Sequence, residues 1–182
     1  MHAFSKCLTV VTATLLFPFS ATASETPKPA EMFKTFCVDT QGSHEKINDI
    51  AQTMNLEELE GRYARAMITE GTEGKVYVLA RNAEELKLLT LATTELNTCA
   101  LYTQGYDTMN DLQFMRESFD LTTIKKNRRG METIEFLVPS STPKERPAMF
   151  EEGMYTFVYP DDPKGSIIGY TPAEIAMKAG PE

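Results

Sequence analysis

Residues 98–104, Thr-Cys-Ala-Leu-Tyr-Thr-Gln, form the stretch that decides the fold. Successive side chains of a β-strand point to opposite faces, so Cys99, Leu101 and Thr103 share one face of such a strand. The stretch therefore predicts a strand whose inward face carries a cysteine, and the position of the second cysteine tells what packs on that face.

That second cysteine belongs to a helical pattern. Phe33, Phe36, Cys37 and Thr40 are spaced i, i+3, i+4, i+7, which is the apolar stripe of an amphipathic helix, and Gly42 can end the helix. The spacing predicts a first helix that points Cys37 inward.

A second short helix is predicted directly after the first. Ser43 can cap it, and Ile47, Ile50, Ala51 and Met54 repeat the same spacing. The two helices are expected to form a hairpin.

The N-terminus has the three regions of a secretory signal peptide. Lys6 precedes an apolar run at residues 7–19, and the small residues Ala21 and Ala23 suit signal peptidase. Cleavage is expected after Ala23. The alternative, a membrane anchor, is disfavoured because the run is too short for a hydrocarbon core that needs roughly 20 residues.

This reading divides the chain into three parts. Residues 1–23 are the predicted signal peptide, residues 24–29 (Ser-Glu-Thr-Pro-Lys-Pro) a flexible lead-in, and residues 30–182 a single α+β domain. A mature chain of 159 residues can bury roughly 70% of the surface that it exposes when unfolded. The expected location is periplasmic or secreted.

Export also bears on the cysteines. Cys7 leaves with the signal peptide, so Cys37 and Cys99 enter an oxidising compartment as a pair and are predicted to form a disulfide. Closing a loop of that length contributes about 4 kcal/mol. Two unpaired buried thiols are the alternative.

Patterns elsewhere in the chain complete the predicted fold. A third helix is expected at residues 107–121, opened by Thr108 with Asp111 in a capping box. Strands are expected at residues 62–70, 75–80, 86–93, 98–104, 132–138, 154–159 and 166–170, and a short last helix at residues 173–178. Because long crossover helices are missing, we expect an α+β fold: a mostly antiparallel sheet of about six strands, with the two N-terminal helices and the central helix packed on one face.

The charge of the mature chain argues against two classes of main partner. It holds 17 basic and 26 acidic residues, a net charge of −9. Such a chain repels phosphate backbones and anionic lipid, so neither nucleic acid nor a membrane is the expected partner.

Candidate catalytic residues are few. The mature chain has one histidine, His44, and its neighbours Ser43 and Asp49 are better explained as a helix cap and an exposed helix residue. Asp161 and Asp162 lie in a proline-rich turn rather than in a calcium loop. We therefore expect no catalytic, cofactor-binding or metal residue and no cofactor.

Two other clusters have alternative interpretations. The basic residues Lys125, Lys126, Arg128 and Arg129 are a possible binding patch for an acidic partner, or simply a solvated loop at the end of a helix. The second cluster is aromatic and consists of Tyr155, Phe157, Tyr159 and Tyr170. These side chains could line a ligand groove or could only pack a sheet.

The order of these motifs resembles a diffuse group of small exported proteobacterial proteins with two cysteines in these places. The matching segments are Phe36-Cys37, Thr40-Gln41-Gly42, Cys99-Ala100-Leu101-Tyr102 and residues 166–170, although this chain has no tryptophan near its first strands. The resemblance implies a signal peptide, a disulfide and an α+β fold, and it supplies no catalytic residue.

The function predicted from these observations is non-enzymatic. We expect an envelope protein that binds another protein or a small ligand, for example as an inhibitor or accessory factor. Two alternatives stay open: a carboxylate-dependent hydrolase acting on cell-wall or glycan material, and a structural subunit of the envelope. The sequence does not indicate an oligomeric state.

Overall fold

The structure is a computed structural model of the chain. It describes residues 28–68, 73–82, 87–94, 99–145, 148–161 and 165–179. The predicted signal peptide and residues 24–27 of the predicted lead-in lie outside these ranges. Pro29, which was assigned to the lead-in, is the first residue of a helix and is buried, since proline is well suited to the first helical position.

Five α-helices are present in the described residues. They are α1 (Pro29–Phe33), α2 (His44–Thr53), α3 (Arg62–Met67), α4 (Thr108–Ser118) and α5 (Ala173–Ala179). A π-helical segment, Lys34–Val38, continues α1, and a 3₁₀ turn spans Ala148–Phe150. No helix in the described ranges is both long and apolar enough to cross a membrane.

Eight strands form one antiparallel sheet in this part of the chain. They are β1 (Glu57–Leu59), β2 (Gly74–Asn82), β3 (Lys87–Thr94), β4 (Cys99–Gln104), β5 (Leu121–Arg129), β6 (Glu132–Pro139), β7 (Met154–Pro160) and β8 (Gly165–Thr171). Their spatial order is β1-β2-β3-β4-β8-β7-β6-β5. The sheet is thus two four-stranded meanders joined at β4 and β8, with α2 ahead of the first meander and α4 ahead of the second.

The main core lies on one face of the sheet, where α1, α2 and α4 pack. The predicted stripe Phe33, Phe36 and Cys37 is fully buried there, against Leu101 of β4 and Ile168 of β8. The predicted hairpin helices and central helix therefore share the expected face.

The opposite face is also partly covered, which was not predicted. Ala64 of α3 packs with Val76 and Ala92, and Ala176 of α5 packs with Val138 and other residues of the second meander. Because helices cover both faces of the sheet, apolar side chains occur on both sides of a strand. The alternation of apolar and polar residues in one strand therefore does not show which side faces the main core.

Several expectations are wrong in detail. The sheet has eight strands rather than about six, partly because Glu57–Leu59 forms a short edge strand. Residues 62–67, expected as a strand, are helix α3, since Arg and Ala favour helix and Ala64, Met67 and Ile68 give helical spacing to the face that packs. Helix α4 is capped by Asp107 rather than Thr108.

The predicted disulfide is present. Cys37 and Cys99 are bonded, with their Cα atoms 5.4 Å apart, and both side chains are completely buried. The bond joins the π-helical segment to β4, one of the two central strands, as the inward faces of both elements predicted.

Candidate ligand-binding cleft

An open cleft of about 730 Å³ lies between the turn after the π-helical segment, the segment before β7 and the junction of β8 with α5. Its lining comprises Val38, Thr40, Gln41, Ser43, Lys46, Glu151, Glu152, Tyr155, Tyr170, Pro172, Ala173, Glu174 and Ile175. Small-molecule sites typically have volumes of roughly 300–1,000 Å³, so the cleft is large enough for a ligand.

One wall of the cleft is made by the end of the first helix. Gln41 and Gly42 both have left-handed backbone conformations, with φ values of 57° and 67°. The Gly42 N–H donates to the carbonyl of Cys37 at 2.8 Å, which closes the helix end. The turn therefore places Thr40 and Gln41 at the cleft while the neighbouring Cys37 stays in the core.

The opposite wall depends on a glycine. Gly153 has a φ of 87°, and a Cβ atom there would lie 2.8 Å from the Thr171 carbonyl oxygen and 2.9 Å from the Tyr170 hydroxyl. Only glycine permits both this conformation and this close approach. It brings Glu151 and Glu152 against the end of β8.

Two buried tyrosines on neighbouring strands contribute to the lining. Tyr155 of β7 and Tyr170 of β8 are directly paired across the sheet, with ring centroids 5.3 Å apart. They are only 5% and 6% exposed, and Tyr155 also packs on Phe33 and Phe119. Because the rings are held in the core, the polar ends are the parts available to the cleft.

One of the two hydroxyl groups is bonded to the acidic wall of the cleft. The Tyr170 hydroxyl donates to the Glu152 carbonyl oxygen at 3.5 Å. This bond links β8 to the segment before β7.

Burial and negative charge hold both tyrosines in the protonated form. Burial raises the pKa of Tyr155, and Tyr170 and Glu152 raise it further. Burial also raises the pKa of Tyr170, with a second contribution from Glu152. At neutral pH both groups are therefore neutral hydroxyls, and Glu152 is close enough to act on both.

The charged residues of the cleft are mostly acidic. Glu151, Glu152 and Glu174 contribute three carboxylates, and Lys46 contributes one ammonium group. None of the four forms an ion pair within the described ranges. The lining therefore carries a net negative charge that is not neutralised by neighbours.

A second, smaller cavity of about 370 Å³ lies at the N-terminal end of α4. Asp107 is occupied as the helix cap, because its carboxylate accepts hydrogen bonds from the Met109 and Asn110 N–H groups at 3.0 and 3.1 Å. Asp111 is different: its buried Oδ2 has no hydrogen-bond partner among the described residues. Burial, followed by the charge of Asp107, raises the pKa of Asp111 to about 7.

A third polar feature, Glu135 of β6, lies in the core under α4. It is 0% exposed and accepts hydrogen bonds or ion pairs from Arg116 at 2.5 Å, Lys126 at 2.6 Å, Tyr159 at 2.8 Å and Thr123 at 3.0 Å. Burial acts to raise the pKa of Glu135, but these four partners outweigh it and lower the pKa. Four partners from three neighbouring elements satisfy this buried carboxylate, so its role is structural.

The basic cluster is not a loop. Lys125, Lys126, Arg128 and Arg129 belong to β5, the edge strand of the sheet. Lys126 pairs with Glu135, and Arg128 pairs with Asp161 at 2.6 Å. Charged side chains on an edge strand discourage pairing with another chain, which gives the cluster a role in this fold. Binding of an acidic partner stays a prediction.

The four residues of the aromatic cluster differ in role: some only pack the sheet, and others also line the cleft. Phe157 is fully buried and Tyr159 is bonded to Glu135, so these two pack the sheet. Tyr155 and Tyr170 pack the sheet and also line the cleft. His44 opens α2, and no group of three His, Cys, Asp or Glu side chains in the described ranges is arranged to hold a metal ion.

Sequence reasoning named Tyr155 and Tyr170 as possible groove residues but did not identify the acidic wall of the cleft. Glu151, Glu152 and Gly153 lie between two predicted strands, and an acidic pair followed by a glycine immediately before a strand is a usable signal. Comparisons of the chain with protein-family models, with curated proteins and with solved structures found no match. The resemblance to exported proteobacterial proteins stays a prediction.

Proposed function

We propose that this chain is an exported, non-enzymatic binding protein of the cell envelope that holds a small ligand in the cleft. The observation that carries the proposal is the open cleft of about 730 Å³, which two buried tyrosines and three carboxylates line. Export itself is inferred from the sequence of residues 1–23 and is consistent with the disulfide.

The rigidity of the cleft supports binding. The surrounding walls are held by the disulfide and by the tightly packed Gly153, so the cleft is formed before the ligand arrives.

The chemistry of the cysteines also favours binding over catalysis. Cys37 and Cys99 are bonded to each other and completely buried, so neither can act as a nucleophile. The cleft lining contains hydroxyls, carboxylates and one amine, which are sufficient for recognition.

The direct test measures ligand-induced thermal stabilisation of the mature protein and of Tyr155→Phe. The probes are a defined panel of amines, amino acids, sugars, dicarboxylates and short peptides. At least one probe is expected to raise the melting temperature of the wild type, with an effect at least halved in Tyr155→Phe. A Tyr63→Phe variant, which changes an exposed tyrosine of α3, serves as the matched control. Equal responses in all three proteins would refute binding at Tyr155.

The second candidate, a carboxylate-dependent hydrolase, is favoured by Asp111. A carboxyl group with a pKa of about 7 beside a cavity can act as a general acid. The assay is release of soluble fragments from purified peptidoglycan and of dye from chromogenic glycosides. Activity that is lost in Asp111→Asn and kept in Tyr155→Phe would establish the hydrolase and replace the binding proposal.

A further inference from the structure

Strand β5 leaves one long edge of the sheet open. It is the last of the eight described strands in the spatial order, and it spans nine residues, whereas the strand at the opposite edge, β1, has three. Within the described ranges β5 pairs with β6 on one side and with no strand on the other. The unpaired N–H and C=O groups of such an edge are a template on which an extended segment can add.

The charges of this edge select what can add to it. Its four cations lie on the outermost strand, whereas Glu132 and Glu135 lie one strand further in and Asp161 follows β7. A segment that approaches from outside therefore meets cations first. A second copy of β5 would bring cations against cations, so the same charges that discourage self-pairing favour an acidic strand.

The cations lie on both faces of the sheet, and the two faces differ in how far their charge is already used. Lys126 and Arg128 are on the face of Glu135 and are held there by ion pairs of 2.6 Å. Lys125 and Arg129 are on the other face, and Arg129 is exposed and forms no ion pair with any described residue. An incoming carboxylate can therefore reach this second face without disturbing the buried network.

We propose that β5 is a docking edge for an acidic, extended segment of another protein, which adds as the next strand of the sheet and places carboxylates beside Lys125 and Arg129. In strand addition the backbone hydrogen bonds supply the affinity, and alternate side chains supply the choice of partner. The segment that fits has acidic residues at every second position and no proline, because proline removes a backbone donor. The docking edge is separate from the cleft, whose lining includes no residue of β5, so this inference does not depend on the small ligand.

The experiment measures the binding of a fluorescent peptide, Thr-Glu-Val-Glu-Val-Glu-Thr, to the mature, disulfide-bonded protein by fluorescence polarisation. Three matched peptides are compared with it: one has glutamine in place of each glutamate, one has lysine there, and one keeps the glutamates but carries N-methyl groups on its internal amides. The acidic peptide is expected to bind with a dissociation constant below about 1 mM. The glutamine peptide is expected to bind about five-fold more weakly or worse, because it forms no ion pairs. The lysine and N-methylated peptides are expected not to bind, because one is repelled and the other cannot pair with a strand.

Variants and hydrogen exchange locate the site. Lys125→Gln/Arg129→Gln leaves the buried network intact and is expected to weaken binding of the acidic peptide about five-fold, through loss of two exposed ion pairs. Arg62→Gln/Arg65→Gln is the matched control, since it removes two exposed cations from α3, which packs near the other edge of the sheet, and it should bind as the wild type does. Amide exchange at residues 121–129 is expected to slow when the peptide is bound, and exchange in β1 to stay unchanged.

Each other outcome overturns the proposal. Equal binding of the acidic and the N-methylated peptides would show attraction by charge without strand addition. Equal affinities of the two double variants would mean that the peptide binds elsewhere. If the protein alone sediments as a dimer that the acidic peptide dissociates, the occupant of the edge is a second copy. If a heparin fragment or an oligonucleotide binds with dependence on Lys125 and Arg129 and the peptide does not, the edge binds polyanions and not a strand.

Discussion

Cys37 is bonded to Cys99, and Cys99 is paired across the sheet with Tyr170, which is itself paired with Tyr155. The disulfide therefore joins the helix end that forms one wall of the cleft to the strand beside its two tyrosines. Thermodynamic stability and the shape of the cleft depend on the same bond.

The first prediction concerns this bond. A Cys37→Ala/Cys99→Ala variant is expected to lose about 4 kcal/mol of unfolding free energy, because the oxidised protein closes a long loop in the unfolded state. Urea titration with and without reductant measures it, and reductant should affect only the wild type. Two alkylatable thiols on the native, unreduced protein would contradict the bond.

The second prediction concerns Glu135. Glu135→Gln is expected to cost about 2 kcal/mol, because Arg116 and Lys126 lose the charge that they pair with, although both cations are partly exposed. Since the pKa of Glu135 is lowered in the folded state, its contribution is present above the ordinary pKa of a glutamate and is lost as the pH falls through the lowered value. The gap between variant and wild type should therefore shrink in acid.

Urea unfolding at pH 7 and at successively lower pH values checks this prediction. Glu132→Gln is the matched control, because Glu132 lies on the same strand and is exposed. A similar loss in both variants would show that the buried network contributes nothing specific.

The third prediction concerns Asp111. Its pKa is raised to about 7 on folding, so the folded protein disfavours its charge and stability falls as the pH rises from about 4 to about 7. Asp111→Asn is expected to stabilise the protein at pH 8 by about 1 kcal/mol, or roughly 2–4 °C in melting temperature. The benefit should vanish below about pH 3, where the wild-type group is protonated in both states.

Thermal unfolding monitored by circular dichroism across that pH range gives the measurement. Asp49→Asn, which alters an exposed aspartate of α2, is the control and should show no such pH dependence. A constant difference between Asp111→Asn and the wild type at all pH values would contradict the raised pKa.

The fourth prediction compares two glycines. Gly153 and Gly130 both have positive φ values, but a Cβ atom meets the Thr171 carbonyl oxygen at Gly153 and open space at Gly130. Gly130→Ala is expected to cost about 1 kcal/mol from backbone strain alone, and Gly153→Ala about 3 kcal/mol because the contact adds to that strain. Equal losses by denaturant titration would show that the close approach at the cleft is unimportant.

Strand β6, which contains Glu135, shows what hydrophobic alternation in a single strand does not predict. Ile134, Phe136 and Val138 alternate along β6 and share one face, but the fully buried residues on the main core side are Glu135 and Leu137. Both faces of this strand are covered, so apolar side chains occur on both. A buried charge was not predictable from the strand alone, because its partners come from α4, β5 and β7.

The position of the basic cluster was wrong for a related reason. Its four cations were expected in a loop at the end of a helix, either as a binding patch or simply solvated, whereas they lie in the edge strand β5. Exposure was inferred correctly, but an edge strand is exposed in the same way as a loop. Only the order of strands in the sheet distinguishes the two.

The sequence by itself determined the features that depend on local spacing. Periodicity placed Phe33, Phe36 and Cys37 on one helix face and Cys99 on the inward face of a strand, and the count of cysteines then predicted their bond. Only the tertiary structure decided the cleft, because its parts come from residues 38–46, 151–155 and 170–175. Local periodicity reports which side of an element is buried, while the meeting of three distant segments depends on how the whole sheet is ordered.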